Sequence, residues 1–538
     1  MKLPELAPGA SPEFVDLASA KAWLENVPLA NVAAAQAELL GQLEELNRFP
    51  TAATNRLAVL EALREAVNFV QVEQAKRFMN RALPMAQGEN DVLEDTLDLW
   101  EEMRIGYLRC LEAAVNGDPA MKAQAALVAQ RSLAYSGLKM FHYHRAYRQV
   151  PAADWRSLHE AYAAAESLGV GEEAVKDFLN RDVQDTSPRI AYARALLMAL
   201  ANPNELSQRQ LTFVAFLLER WGMKLEVARE PVEEELGVPP FAVDLAGERA
   251  PERLESPAQV KLGEPRYLDT RKLAKSLRNR VGLLRKGESP AKLALGEDCV
   301  QPSCEQLLVS LYRQWCQARV ERSGQRRASS AAAEAAGDIA AIHYYLSGRA
   351  FRQPGEQKEL SKKQREEIAT FGRVSTREED DYSEAQGFVL EQWRLEDESA
   401  QGMRLARAAG AAGRRYAHGQ LIAVRPADAR SFMLAQVRWL MIAESRDLLA
   451  GVKLLPGLPA ATAVRPTGIN VQQEKYVPAL SLTAVPALNA PPTLVLPVGW
   501  FKPGRIIEVY VDAPVRVKLV GLTDRGSDFE RVAYEAAR

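Results

Sequence analysis

Five residues between Arg373 and Gly402 carry the side chains best suited to grip an anion with a flat, acceptor-rich body. Arg373 and Arg377 stand four apart, and Asp397, Ser399 and Gly402 follow as D-x-S-x-x-G. A guanidinium is a rigid fork of donors that fits phosphate oxygens and the paired acceptors on the edge of a guanine. A carboxylate such as Asp397 can accept from the N–H groups of such a base, and the Ser399 hydroxyl both donates and accepts. At Gly402 the missing Cβ permits a turn or the close approach of a ligand.

Two arginines four apart, then D-x-S-x-x-G, resemble the signature of the PilZ domain, a small β-barrel that binds the bacterial second messenger cyclic di-GMP. The flanking runs are similar to the strand progression of that family. Gly387 to Leu395 leads in, Gly419 to Val424 follows, Phe432 to Trp439 ends in an aromatic, and Gly451 opens a hydrophobic stretch. The resemblance implies cyclic di-GMP as ligand, with no cofactor or metal, and ligand-contacting roles for Arg373, Arg377, Asp397, Ser399 and Gly402. Glu378 to Asp381 follow the second arginine directly. These four carboxylates either form a solvated loop or oppose a dianionic ligand. In the second case the chain is a PilZ-like adaptor that binds no nucleotide and acts through protein contacts.

A chain of 538 residues exceeds one hydrophobic core, so several domains are expected. Its net charge of −2 gives no general attraction for nucleic acid or anionic lipid. Met1 to Ser11 has no apolar stretch of signal-peptide type, and no run approaches the length of a bilayer span, so a cytoplasmic protein is expected. Cys110, Cys299, Cys304 and Cys316 are too sparse for a disulfide framework and are expected as reduced thiols. The Cys299–Cys304 spacing lacks partners for a zinc site, and His142 and His144 diverge on a helix. No phosphate-loop, serine-hydrolase or zinc-protease motif is found, which points away from an enzyme.

The fold class expected is multidomain α plus β: a helical bundle or solenoid, then a PilZ-like antiparallel β-barrel, then further strands. Residues 1–225 read as helical, with apolar stripes such as Leu39, Leu43 and Leu46. Residues 226–265, rich in Pro and Glu, read as an extended linker. A second helical segment covers 266–347, where eight basic residues from Arg266 to Lys286 surround the stripe Leu273, Leu277, Val281 and Leu284. The Ala-rich stretch Ser323 to Gly337 is expected to continue or join helices. The PilZ-like barrel is placed at 348–465. Residues 466–538 either complete it or build a second small barrel, with a short helix from Asp528. Through the resemblance, the chain is a receptor that relays the messenger to a protein partner by way of the helices, with motility, pili or biofilm formation as output.

Overall fold

A computed structural model of the chain describes residues 3–231, 241–253, 262–296, 298–317, 326–354, 383, 385–467 and 474–537. The chain divides into two compact units, Met1–Arg81 with Met85–Glu321, and Ala82–Pro84 with Arg322–Arg538.

The first unit is built from α1 (Leu17–Leu24), α2 (Val32–Arg48), α3 (Ala53–Phe78), α4 (Gln87–Val115), α5 (Pro119–Lys122), α6 (Ala125–Arg145), α7 (Ala152–Ser167), α8 (Pro188–Leu200) and α9 (Gln208–Trp221). The stripes seen in the sequence face inward: Leu39, Leu43 and Leu46 of α2 are fully buried, as are Leu60 and Leu63 of α3. Charged groups that enter this core arrive with partners. Arg56 closes the C-terminal end of α2 by donating to the carbonyls of Leu46 at 2.6 Å and Phe49 at 2.8 Å. Helix ends leave such carbonyls without intrahelical donors, so the burial of Arg56 is compensated.

One short strand pair and a small sheet complete this unit. β1 (Val175–Lys176) pairs with β2 (Asp185–Thr186). β3 (Glu226–Ala228), β6 (Pro265–Asp269), β4 (Phe241–Asp244) and β5 (Glu252–Arg253) form a four-stranded sheet in that order. This sheet occupies the stretch expected as a linker. Phe241, Ala242 and Val243 are buried in it, and Asp244 ties down its turns by accepting from the backbone of Ala246, Gly263 and Glu264. Among the described residues, Pro251 directly precedes β5 and Pro265 opens β6, so these prolines stand at strand ends. α10 (Arg271–Arg285) buries its predicted stripe and α11 (Ser303–Cys316) packs beside it. Arg266, Arg271, Lys272 and Arg285 of the basic segment are engaged by Glu166, Asp269, Glu226 and Glu305. Cys299 and Cys304 are joined as a disulfide, against the expectation of free thiols, because the turn into α11 brings their Cα atoms to 4.9 Å. Cys110 and Cys316 are free and buried.

The second unit holds two closed barrels. Its elements are β7 (Arg327–Ala328), β8 (Ala332–Gly337), α12 (Ile339–Ser347), β9 (Glu391–Ser399), β10 (Gly402–Arg407), β11 (Leu421–Pro426), β12 (Met433–Ile442) and β13 (Leu448–Leu454), then β14 (Pro459–Pro466), β15 (Val477–Leu482), β16 (Thr493–Pro497), β17 (Ile506–Tyr510), β18 (Pro514–Arg525) and β19 (Phe529–Ala536). In the first barrel the antiparallel pairings run β9–β10–β13–β12–β11–β8 and return to β9, with β7 added along the end of β9. In the second the order is β14–β15–β16–β19–β18–β17 and back to β14.

Two helical expectations fail here for the same reason. The Ala-rich stretch is β7 and β8, not helix: Ala333, Ala335 and Ala336 are buried and β8 is hydrogen-bonded on both edges, to β9 and β11. Small side chains suit a place where Gly337 already lies against the Tyr416 ring. The segment after Asp528 is β19, which closes the second barrel. Its charged residues are satisfied there, Glu530 by Arg525 and the Phe501 amide, Arg531 by Asp524 and the Thr493 hydroxyl. Helix propensity is worth only tenths of a kcal/mol per residue, and pairing on both edges outweighs it. The first barrel therefore starts at Ala332, upstream of the boundary read from the sequence, and ends at Leu454.

A polar hub sits inside the first barrel. Glu391, fully buried, accepts from Arg407 Nη1 at 2.6 Å, Trp393 Nε1 at 3.0 Å, the Tyr416 hydroxyl at 2.9 Å and the Arg414 amide at 2.8 Å. Burial and the adjacent carboxylate hold the Tyr416 phenol protonated, far above its usual range. The two barrels share a core in which Ile339 and Ile342 of α12 meet Leu421, Leu434, Leu480 and Phe529. Polar contacts lock the same junction, with the Leu421 amide on Asp528 Oδ1 at 2.9 Å and Gln436 Nε2 on the Arg525 carbonyl at 3.1 Å.

Candidate functional site

The D-x-S-x-x-G segment is the hairpin between β9 and β10, with Ser399 opposite Gly402 and Ala400-Gln401 as the loop. The Ser399 hydroxyl donates to the Gly402 carbonyl at 3.2 Å and accepts from the Gln401 amide at 3.4 Å, so it braces the turn. Gly402 is required by β13: a Cβ there would overlap the Val452 carbonyl oxygen. It thus serves both the β9–β10 turn, one of the two roles the sequence offered, and the close approach of a neighbouring strand. Arg373 and Arg377, with the acidic run behind them, lie outside the described residues.

An arginine that the sequence reading passed over takes the place beside the turn. Arg326 Nη1 binds Asp397 Oδ1 at 2.6 Å, carried there by β7, whose Ala328 lies directly opposite Asp397. Both side chains keep partial access to solvent, at 39% and 21% exposure. Arg327 is also exposed. In sequence Arg326 stands four residues after Arg322, so a second Arg-x-x-x-Arg precedes the barrel. That spacing is the one local signal that points to it.

Register extends the site across the barrel. Asp397 faces Arg404, Arg404 faces Gly451, and Gly451 faces Trp439, one row over β9, β10, β13 and β12. Directly opposed residues project from the same side of a sheet. The alternate row holds buried Met403 and Val452, so this one faces outward. Gly451 leaves a slot that the Trp439 indole fills: a Cβ at 451 would fall 2.6 Å from Trp439 Cδ1 and closer still to Nε1. The Arg404 guanidinium lies 5.9 Å from the Trp439 ring centre and its Nε is 3.1 Å from Glu396 Oε2. Register shifts at Arg404/Leu405 and Val437/Trp439 flank the row, and such bulges re-aim side chains near binding surfaces. The result is an outward strip with a carboxylate, two guanidinium groups and a half-buried indole. It can pair a phosphate, hydrogen-bond a base edge and stack a flat ring.

Residues 18–231 match the family model for the N-terminal domain of the cyclic-di-GMP receptor FimW, and residues 462–537 match the model for the FimW C-terminal β-barrel domain. Both FimW domain models thus match this chain, the N-terminal one ahead of the C-terminal one. A curated relative, the cyclic-di-GMP receptor FimW of Pseudomonas aeruginosa, is 23% identical over 561 aligned positions, covering 96% of this chain and 90% of the relative. The two matched domains correspond to the helices up to β3, the first strand of the small sheet, and to the second closed barrel. The first barrel, with the strip just described, lies between them in the sequence.

Among the described residues no helix is long and apolar enough to cross a membrane. No group of three or more His, Cys, Asp or Glu side chains there could hold a metal ion. His142 and His144 are both buried in the helical core, where desolvation lowers their pKa values to about 3 and about 4.

Proposed function

We propose that this chain is a receptor for cyclic di-GMP and takes the ligand on the outer strip of the first barrel. The contact that carries the reading is Arg326 on Asp397, in one row with Arg404 and Trp439. A ligand phosphate competes with Asp397 for the Arg326 guanidinium, and the released carboxylate accepts the N–H edge of a guanine. Trp439 offers a stacking face, and Arg404 a second cation. Ser399 and Gly402 set the shape of the turn. Two arginine pairs of equal spacing precede the turn in sequence, Arg322/Arg326 and Arg373/Arg377, and the Arg326–Asp397 contact favours the first as the clamp.

Similarity to a cyclic-di-GMP receptor along 96% of the chain supports the choice of ligand. On the same reading the protein is cytoplasmic, performs no catalysis, and passes the ligand's presence to a protein partner through the helical unit. Calorimetry with cyclic di-GMP tests it on the full chain. Arg326→Ala and Asp397→Ala each weaken binding by about 1–3 kcal/mol, the range for a good bidentate contact. If only the double variant of Arg373 and Arg377 weakens binding, the clamp belongs to the second pair. If the wild-type chain takes up no cyclic di-GMP, the receptor reading fails and the adaptor reading replaces it.

A further inference from the structure

The helical unit contains a cavity of about 250 Å³ between α3, α4, α6, α8 and α9. We infer that it is a second ligand site, separate from the barrel strip, for a small organic anion with one aromatic ring. Three observations point to a ligand there, and the last two set its chemistry.

The first is a buried polar atom without a partner. His142 is 4% exposed and lines the cavity, and its Nε2 has no hydrogen-bond partner among the described residues. Its Nδ1 is already engaged, 3.1 Å from Trp100 Nε1 and 2.9 Å from the Leu138 carbonyl oxygen. Nε2 is therefore the ring atom left for a polar group of a ligand.

The second is unbalanced charge. Arg64, Arg145, Arg181 and Arg194 line the cavity against Asp177 and Glu219. Arg64 is bound to Asp177 at 2.6 Å, and Arg194 Nη1 donates to Asn180 Oδ1 at 2.9 Å. Arg145 has no carboxylate partner among the described residues. Its guanidinium rests 4.5 Å from the Phe141 ring centre and 3.4 Å from the Thr212 hydroxyl, and its Nε is buried and unpaired. Burial, reinforced by the neighbouring Arg181 charge, lowers its pKa to about 10. Leaving such a cation unpaired is costly, and an anion between Arg145 and Arg181 would relieve it.

The third is the wall. Trp100, Tyr135 and Phe141 supply flat apolar surface behind the cations. A volume near the lower end of small-molecule pockets suits one ring with its charged group and is too small for a cyclic dinucleotide.

Phenyl phosphate is the probe. Calorimetry on the full chain is expected to show one equivalent bound, with inorganic phosphate and phenol each at least about tenfold weaker because each lacks half of the recognition. Arg145→Gln is expected to weaken the probe by about tenfold or more, and Arg145→Lys by less, with unliganded melting curves confirming the fold. Crystals of the wild-type chain soaked with 4-bromophenyl phosphate should show the anomalous bromine peak among Trp100, Tyr135 and Phe141. That last measurement stands even if the Arg145 variants do not fold. No binding to the wild-type chain, a bromine peak elsewhere, or an unchanged affinity in folded Arg145→Gln overturns the inference. None of these outcomes bears on cyclic di-GMP at the barrel.

Discussion

Gly451→Ala is the substitution that tests the barrel strip most sharply, since residue 451 is itself no candidate for ligand contact. The new methyl group occupies the slot of the Trp439 indole, 2.6 Å from its Cδ1 and closer to its Nε1, so the ring must leave. Trp439 is only half-buried and can swing outward, so the cost to folding should stay near the low end of the overpacking range, about 1 kcal/mol. The cost to binding is that of a lost stacking face, about 1–3 kcal/mol, which weakens cyclic di-GMP roughly 5- to 150-fold. Calorimetry on wild type, Gly451→Ala, Trp439→Ala and the double variant forms a closed cycle. Both single variants act by removing the same ring, so the double variant should bind no more weakly than either. A folded Gly451→Ala protein that binds within about twofold of wild type would refute the role given to the indole.

Other consequences are as direct. Glu391→Ala leaves the Arg407 charge, the Trp393 N–H and the Tyr416 hydroxyl buried without their acceptor, and should destabilise the second unit by about 3–5 kcal/mol in denaturant unfolding. Arg404→Ala removes a cation whose side chain is partly open to solvent, as is its Glu396 partner, so it should weaken cyclic di-GMP with little change in melting temperature, and more at low salt than at high salt. His144 is held neutral by burial, with its pKa lowered from 6.5 to about 4. The unfolded chain therefore takes up that proton first, and the helical unit should lose up to about 1.4 kcal/mol per pH unit as pH falls from about 6.5 to about 4. Unfolding curves of His144→Asn across that window should be flatter.

The parts of this fold written in short-range pattern were legible in the sequence. Leucines spaced three and four apart marked the inward faces of α2, α3 and α10, and turn residues separated the strands of the barrels. The D-x-S-x-x-G hairpin is visible because it is local. What escaped notice depends on partners distant in the chain. The alanines of β8 are a strand only because β9 and β11, more than fifty residues downstream, flank them. Arg326 is part of the strip only because β7 pairs with the end of β9, and Trp439 and Gly451 are joined by register rather than by spacing. Where composition suggests an extended linker over 226–265, the described residues hold the strands of the small sheet. Their prolines and acids speak of turns, while the few apolar residues between them, Phe241 to Val243, are enough to seed a sheet.

The position of Arg326 in the chain has one more consequence. It stands immediately before β7, the two-residue strand that pairs with the end of β9, so the side chain that grips Asp397 also fastens this short edge strand to the barrel. An anion that claims this guanidinium would remove the side-chain anchor of β7 while the closed ring of the other six strands stays intact. Occupancy would then be reported as slack in that edge strand, and a partner sensitive to it could read the messenger without touching it.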